Sequence, residues 1–181
     1  MSERASPPGL TRARSHPIVE QLLRDSPLRH PRYSRFYLGT IGTALGYTMQ
    51  ATVAAWLMAT LTPSALMVAL VQSASTGPSL LFGLIAGTLA DLVDRRMVVL
   101  STQWLLLGAT ALLGAATLFD LIGPVSLLVL TFLTGIGFTF YMPAQQALVN
   151  DLVPRDELPR AVSLAAVAFN VARAIGPALA G

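Results

Sequence analysis

The chain has 181 residues, of which 54% are hydrophobic and only 12% charged, with a formal net charge of +3. This balance, with a mean hydropathy of +0.63, argues against an ordinary soluble domain and places the chain in the membrane class. Cysteine is absent, so neither a disulfide nor a thiolate metal site can form.

Residues 1–35 are polar and rich in Arg, Pro and Ser, with one short apolar run at 18–23. The apolar segment that follows is too long for a signal peptide and ends without a small-residue cleavage site. The stretch reads as a basic, largely disordered cytoplasmic tail that fixes topology with nothing bound, attraction to the headgroups of the lipid bilayer being the other reading. Its arginines are not interleaved with aromatic residues as a nucleic-acid surface requires, so no nucleic-acid partner is expected. Tyr33, Phe36 and Tyr37 at the membrane edge read as interface anchors.

Beyond the tail, no group that is charged at neutral pH occurs between Arg35 and Asp91, between Arg96 and Asp120, or between Asp120 and Asp151. Each gap exceeds the ~20 residues that a spanning helix needs. Thr62, Pro63 and Ser64 supply a turn in the middle of the first. The expected architecture is therefore an all-α polytopic helix bundle with spans at about 36–61, 65–90, 97–119 and 125–149, followed by an incomplete fifth at 161–181. On this reading the chain is the N-terminal part of a longer protein.

Basic residues near span ends are retained on the cytoplasmic side. Seven arginines precede the first span, two follow the second (Arg95, Arg96) and two follow the fourth (Arg155, Arg160). All of these fall on one side, whereas the turns on the other side hold no basic residue. The prediction is a multi-pass protein of a cell inner membrane or plasma membrane, with a cytoplasmic N-terminus. Catalysis is not expected. Both histidines, His16 and His30, lie in the tail, and no metalloprotease or nucleophile-elbow pattern occurs. No cofactor or metal is expected either.

The segment from Gly87 to Arg96 is an island of charge between two apolar spans. Gly83 and Gly87 form a small-residue stripe that would let another helix approach, and Asp91 stands at its end, able to accept bonds from a helix N-terminus or a guanidinium. Gly87, Asp91, Arg95 and Arg96 match the signature G-x-x-x-D-R/K-x-G-R-R/K of the major facilitator superfamily, which this region resembles. Leu92 and Asp94 depart from it. The resemblance implies a conformational latch that holds two helix bundles together on the cytoplasmic side. Asp151, on the same side as Arg95 and Arg96, is expected to pair with them.

Pro143, Ala144, Gln146 and Ala147, then Val153, Pro154, Glu157 and Leu158, then Asn170, Ala172, Arg173, Gly176, Pro177 and Gly181 recur in order. This pattern is similar to that of the facilitator branch containing the enterobactin exporter and macrolide efflux proteins. Gly176, Pro177 and Gly181 also echo that superfamily's antiporter motif in the fifth span, with a packing kink as the simpler reading. Arg173 lies inside that span, roughly 18 Å from its start. A charge there is costly; it meets an anionic substrate, an acid elsewhere, or carbonyls freed by Pro177.

Polar side chains in lipid turn inward. Thr43, Tyr47 and Gln50 share one face of the first span, and Thr134, Phe138, Tyr141 and Gln145 share one face of the fourth. The resemblance places both helices beside a central pathway, which makes these seven candidate substrate contacts, with plain interhelical hydrogen bonding as the alternative. It further implies a secondary active transporter exporting a drug-like or siderophore-like small molecule by alternating access, working with a C-terminal helix bundle outside this sequence. A coupling proton is among the implied partners, yet no acid occupies the middle of a complete span to carry it. A non-transporting membrane remnant or structural subunit is the other class left open.

Overall fold

The computed structural model describes residues 27–181. Most of the expected tail, including His16, lies outside them. After a single 3-10 turn at Pro27–Arg29 come five long helices: α1 (Pro31–Leu61), α2 (Ala65–Leu92), α3 (Arg95–Leu118), α4 (Pro124–Leu152) and α5 (Leu158–Ala180). Among the described residues all regular structure is helical, so the chain is an all-α membrane bundle.

Helices α2 to α5 are each long and apolar enough to cross a membrane. The segment expected to be an incomplete fifth span is thus a helix of 23 residues, about 35 Å long. The 31-residue α1 is less apolar than the other four, because Thr40, Thr43, Tyr47, Thr48, Gln50 and Thr52 interrupt it. Several of these turn onto neighbouring helices, as polar groups in lipid must. Many of the large apolar side chains instead point outward. Leu80 and Leu84 are 90% and 84% exposed, which is tolerable only where the surroundings are hydrocarbon.

Turn chemistry explains the helix ends. Asp94 caps α3, its carboxylate accepting the Arg96 N–H at 2.9 Å. The sequence comparison treats Asp94 as a departure from a glycine; structurally it is the residue that starts the helix. After α3, Asp120 adopts φ 54°, its N–H bonds to Thr117 O at 3.2 Å and that of Leu121 to Ala116 O at 2.8 Å. Those two bonds make a Schellman motif with an aspartate in the left-handed position usually held by glycine. Ser126 then accepts the Gly123 N–H at 2.8 Å and so fixes the entry to α4.

Helix α4 is the axis of the bundle and lies against all four others. Its fit to α2 depends on Gly135: an added Cβ would stand 2.8 Å from Ser75 O and 2.9 Å from Pro78 Cγ. Small residues allow this approach, which dispersion forces reward in a bilayer. Pro78 cannot donate to Ala74 O, and that freed carbonyl also faces Gly135, at 3.0 Å from the same point. Helix α5 is tied to α1 through hydrogen bonds from Tyr33 Oη to Ala161 O (2.9 Å), Tyr37 Oη to Leu164 O (3.2 Å) and Thr48 Oγ1 to Ala172 O (3.1 Å).

The two ends of the bundle differ in chemistry. Met58, Val71, Leu113 and Leu127 form an apolar cluster at one. At the other, Glu157 is buried and forms an ion pair with Arg29, with His30 Nε2 3.2 Å from its second carboxylate oxygen, beside the cluster of Tyr33, Val149, Val153 and Ala161.

Candidate functional site

The polar stripes of α1 and α4 meet face to face at three levels. Gln145 Nε2 donates to Thr40 Oγ1 at 3.4 Å. Tyr47 stacks on Phe138 with ring centroids 3.9 Å apart and planes at 8°. Thr134 Oγ1 donates to Gln50 Oε1 at 3.4 Å. Gln50, Thr134, Tyr141 and Gln145 are buried, and the Gln50 Nε2 donor has no protein partner. The expected pathway residues therefore pair across an interface, while their edges line separate spaces on its two flanks.

One flank is a cavity of about 310 Å³ between α1, α4 and α5, lined by Thr40, Phe138, Tyr141, Gln145, Phe169 and Asn170. The other is a groove of about 380 Å³ between α1, α3 and α4, reached by Thr43, Gln50 and Thr134. In it Gln103 Nε2 donates to Thr43 Oγ1 at 2.6 Å. The seven residues thus do not converge on a single cavity. Two helices that interlock along matching faces leave only the margins of those faces open.

Arg173 borders a third space of about 370 Å³ between α1, α2 and α5, together with Tyr47, Gln72, Ser75, Thr76 and Phe169. Phe169 also stacks near Phe138, with centroids 5.8 Å apart. The aromatic series Tyr47, Phe138, Phe169 consequently separates this space from the 310 Å³ cavity. Gln72, Gln103, Phe169 and Asn170 line these spaces too, although they stand outside the two stripes. Gln72 stands in a polar row of α2 with Ser75, Thr76 and Ser79, and Gln103 shares its face of α3 with Thr110, so helical spacing was the signal that could have found them; Phe169 looks like any lipid-facing aromatic.

At the end of the bundle that carries the charged island, Arg95 Nη1 donates to Asp151 Oδ1 at 2.9 Å and to Ala147 O at 3.3 Å. Arg95 and Asp151 are the pair that joins the α2–α3 turn to the end of α4. Asp91 and Arg96 are exposed and stand apart from it. A Cβ added to Gly83 or Gly87 would meet nothing within 4 Å. The close approach expected at this glycine stripe does not occur between the described helices; Gly135 supplies it instead.

Gly176 faces Thr48 so tightly that a Cβ there would collide with the Thr48 hydroxyl. Its function in the fold is close packing, whereas Pro177 lies within α5 and Gly181 caps it.

A family model described as "Transmembrane secretion effector" matches residues 24–181. The staphyloferrin A transporter of Staphylococcus aureus is 30% identical over 130 residues, which is 70% of this chain and 32% of that protein. The chain thus aligns with about a third of that relative's length. No solved structure matches at a significant level. With helices long and apolar enough to cross a membrane and a family match over the whole described bundle, the chain belongs to the transmembrane secretion effector family of the major facilitator superfamily.

Proposed function

We propose that this bundle is the N-terminal half-site of a secondary transporter that exports a drug-like or siderophore-like small molecule across a cell membrane by alternating access. The observation that carries this reading is the cavity of about 310 Å³ between α1, α4 and α5, mostly apolar but edged by Tyr141, Gln145 and Asn170. A few polar groups in an apolar cleft are what binding a small organic molecule requires. The relative named above, a staphyloferrin A transporter, supports a small-molecule cargo. The arginine distribution supports a cytoplasmic N-terminus in an inner or plasma membrane.

On this reading Gly87, Asp91, Arg95, Arg96 and Asp151 form the cytoplasmic latch. The open space at Gly87 and the exposure of Asp91 leave both free to meet a second helix bundle, the proposed C-terminal partner. Coupling to a proton would then depend on acids of that bundle, and the protein would have no enzymatic activity. Inverted membrane vesicles containing the full-length protein test the whole scheme with a panel of radiolabelled siderophores and lipophilic drugs under an imposed pH gradient. Gradient-driven accumulation that D91N abolishes is expected. Equal accumulation with and without the protein across the panel would leave a non-transporting subunit as the better description.

A further inference from the structure

Arg173 is the one ionisable group within the membrane-spanning part of α5, and its surroundings define what it can bind. Ala172 and Gly176 are buried against α1, where Thr48 Oγ1 bonds to Ala172 O at 3.1 Å and leaves no room for a side chain at Gly176. That contact fixes the rotation of α5. Arg173, a rotation of about 100° further round the helix, therefore faces the space between α1, α2 and α5.

The donors around this space are already committed, with two exceptions. Tyr47 Oη donates to Ser75 O at 3.1 Å, Ser75 Oγ to Gln72 O at 3.0 Å and Thr76 Oγ1 to Gln72 O at 2.9 Å. Thr48 donates to carbonyls of α1 and α5. What is left is the guanidinium of Arg173 and the side-chain amide of Gln72. Among the described residues no carboxylate lies within ion-pair distance of Arg173. Nor does its guanidinium bond to a carbonyl, although Pro177 frees the carbonyl of Arg173 itself. Arg173 is exposed within this bundle, and a guanidinium so far along an apolar span is costly unless an anion meets it. Its planar fork suits a carboxylate.

The walls supply the second half of the specificity. Tyr47 and Phe169 border the same space, and both rings are held by Phe138 at centroid distances of 3.9 and 5.8 Å. About 370 Å³ accommodates a fused aromatic ring with an acidic group.

We infer that the space between α1, α2 and α5 is a binding site for an amphipathic organic anion, whose carboxylate meets Arg173 and Gln72 and whose ring lies against Tyr47 and Phe169. This narrows the cargo class of the transport reading and rests on it for its biological role. The binding event itself can be tested apart from transport.

The test uses 2-naphthoate and its uncharged counterpart 2-naphthamide, with the full-length protein in lipid nanodiscs and equilibrium dialysis as the readout. The expected result is that wild type prefers naphthoate to naphthamide. R173Q should weaken naphthoate at least tenfold and naphthamide less than twofold, and R173K should recover part of the loss. A thermal melt of each variant guards against misfolding, and Q72A supplies a milder change, about threefold on naphthoate alone. The inference is overturned if the wild type does not bind naphthoate or if R173Q weakens both probes equally. Binding with the expected discrimination but no flux in vesicles would sink the transport reading alone. Flux that ignores R173Q would sink the site alone.

Discussion

Thr48 of α1 and Gly176 of α5 occupy one another's space: the threonine hydroxyl fills the position that a Cβ on residue 176 would take, while donating to Ala172 O at 3.1 Å. A single hydroxyl thereby sets both the distance and the rotation of α5 against α1.

Gly176→Ala should therefore force the two helices apart and destabilise the bundle by about 1–3 kcal/mol, the usual cost of overpacking. Gly176→Ala combined with Thr48→Ala should recover at least half of that loss, because the clash is with the threonine side chain. Thermal melts in detergent for the two single variants and the double one settle the matter. Strict additivity would show that the contact is unimportant.

The two glycine positions on α2 and α4 separate packing from function. Gly135→Ala meets the backbone of α2 at 2.8 Å and should lower stability by about 1–3 kcal/mol. Gly87→Ala meets nothing within 4 Å and should be neutral or slightly stabilising, since alanine favours helix by up to about 1 kcal/mol over glycine. Loss of transport in a Gly87→Ala protein of undiminished Tm is the expected signature of a contact made with a second bundle.

Arg95 and Asp151 are side chains 35% and 52% exposed, 2.9 Å apart. An ion pair this open to its surroundings contributes at most about 1 kcal/mol to stability. Asp151→Asn should leave the melting temperature nearly unchanged yet slow transport in the same direction as Asp91→Asn. A protein that transports normally with Asp151→Asn and fails with Asp91→Asn would separate the two residues functionally.

Asp120 holds a left-handed backbone, φ 54°, at the end of α3. A Cβ in that conformation costs roughly 1 kcal/mol or more, and glycine carries none of it. Asp120→Gly should raise the stability of the bundle by about 0.5–1 kcal/mol, visible as a higher Tm. A lower Tm would mean that the carboxylate makes a contact that outweighs the strain.

Glu157 is buried among Arg29, His30 and the start of α5, with a side chain only 5% exposed. Glu157→Gln leaves the shape intact but removes the charge that the Arg29 guanidinium faces, and should cost about 1–3 kcal/mol. Glu157→Leu should cost more, because no acceptor then remains. Equal melting temperatures for wild type and Glu157→Gln would show that the pair is replaceable by a neutral hydrogen bond.

The class of fold was legible in the chain because lipid imposes a length and a composition that one-dimensional patterns record directly. Charge-free gaps between Arg35, Asp91, Asp120 and Asp151 mark where helices run, and Thr62 to Ser64 mark a turn. The polar stripes were visible for the same reason: Thr43, Tyr47 and Gln50, like Thr134, Phe138 and Tyr141, repeat at helical spacing. Sequence alone also picked out Arg173, since a charge inside an apolar run stands out whatever surrounds it.

Partners across the bundle were decided by the tertiary structure, because spacing along one helix says nothing about which other helix lies opposite. That is why the stripes proved to close on one another through Tyr47 and Phe138, and why, among the described helices, the close approach of α2 and α4 is made at Gly135. It is also why Glu157 finds Arg29 and His30 more than a hundred residues away. The chain fixed which residues must avoid lipid. Which neighbours received them followed from how five cylinders of fixed diameter interlock, where a missing side chain at Gly135 or Gly176 settles the distance and the rotation of everything attached.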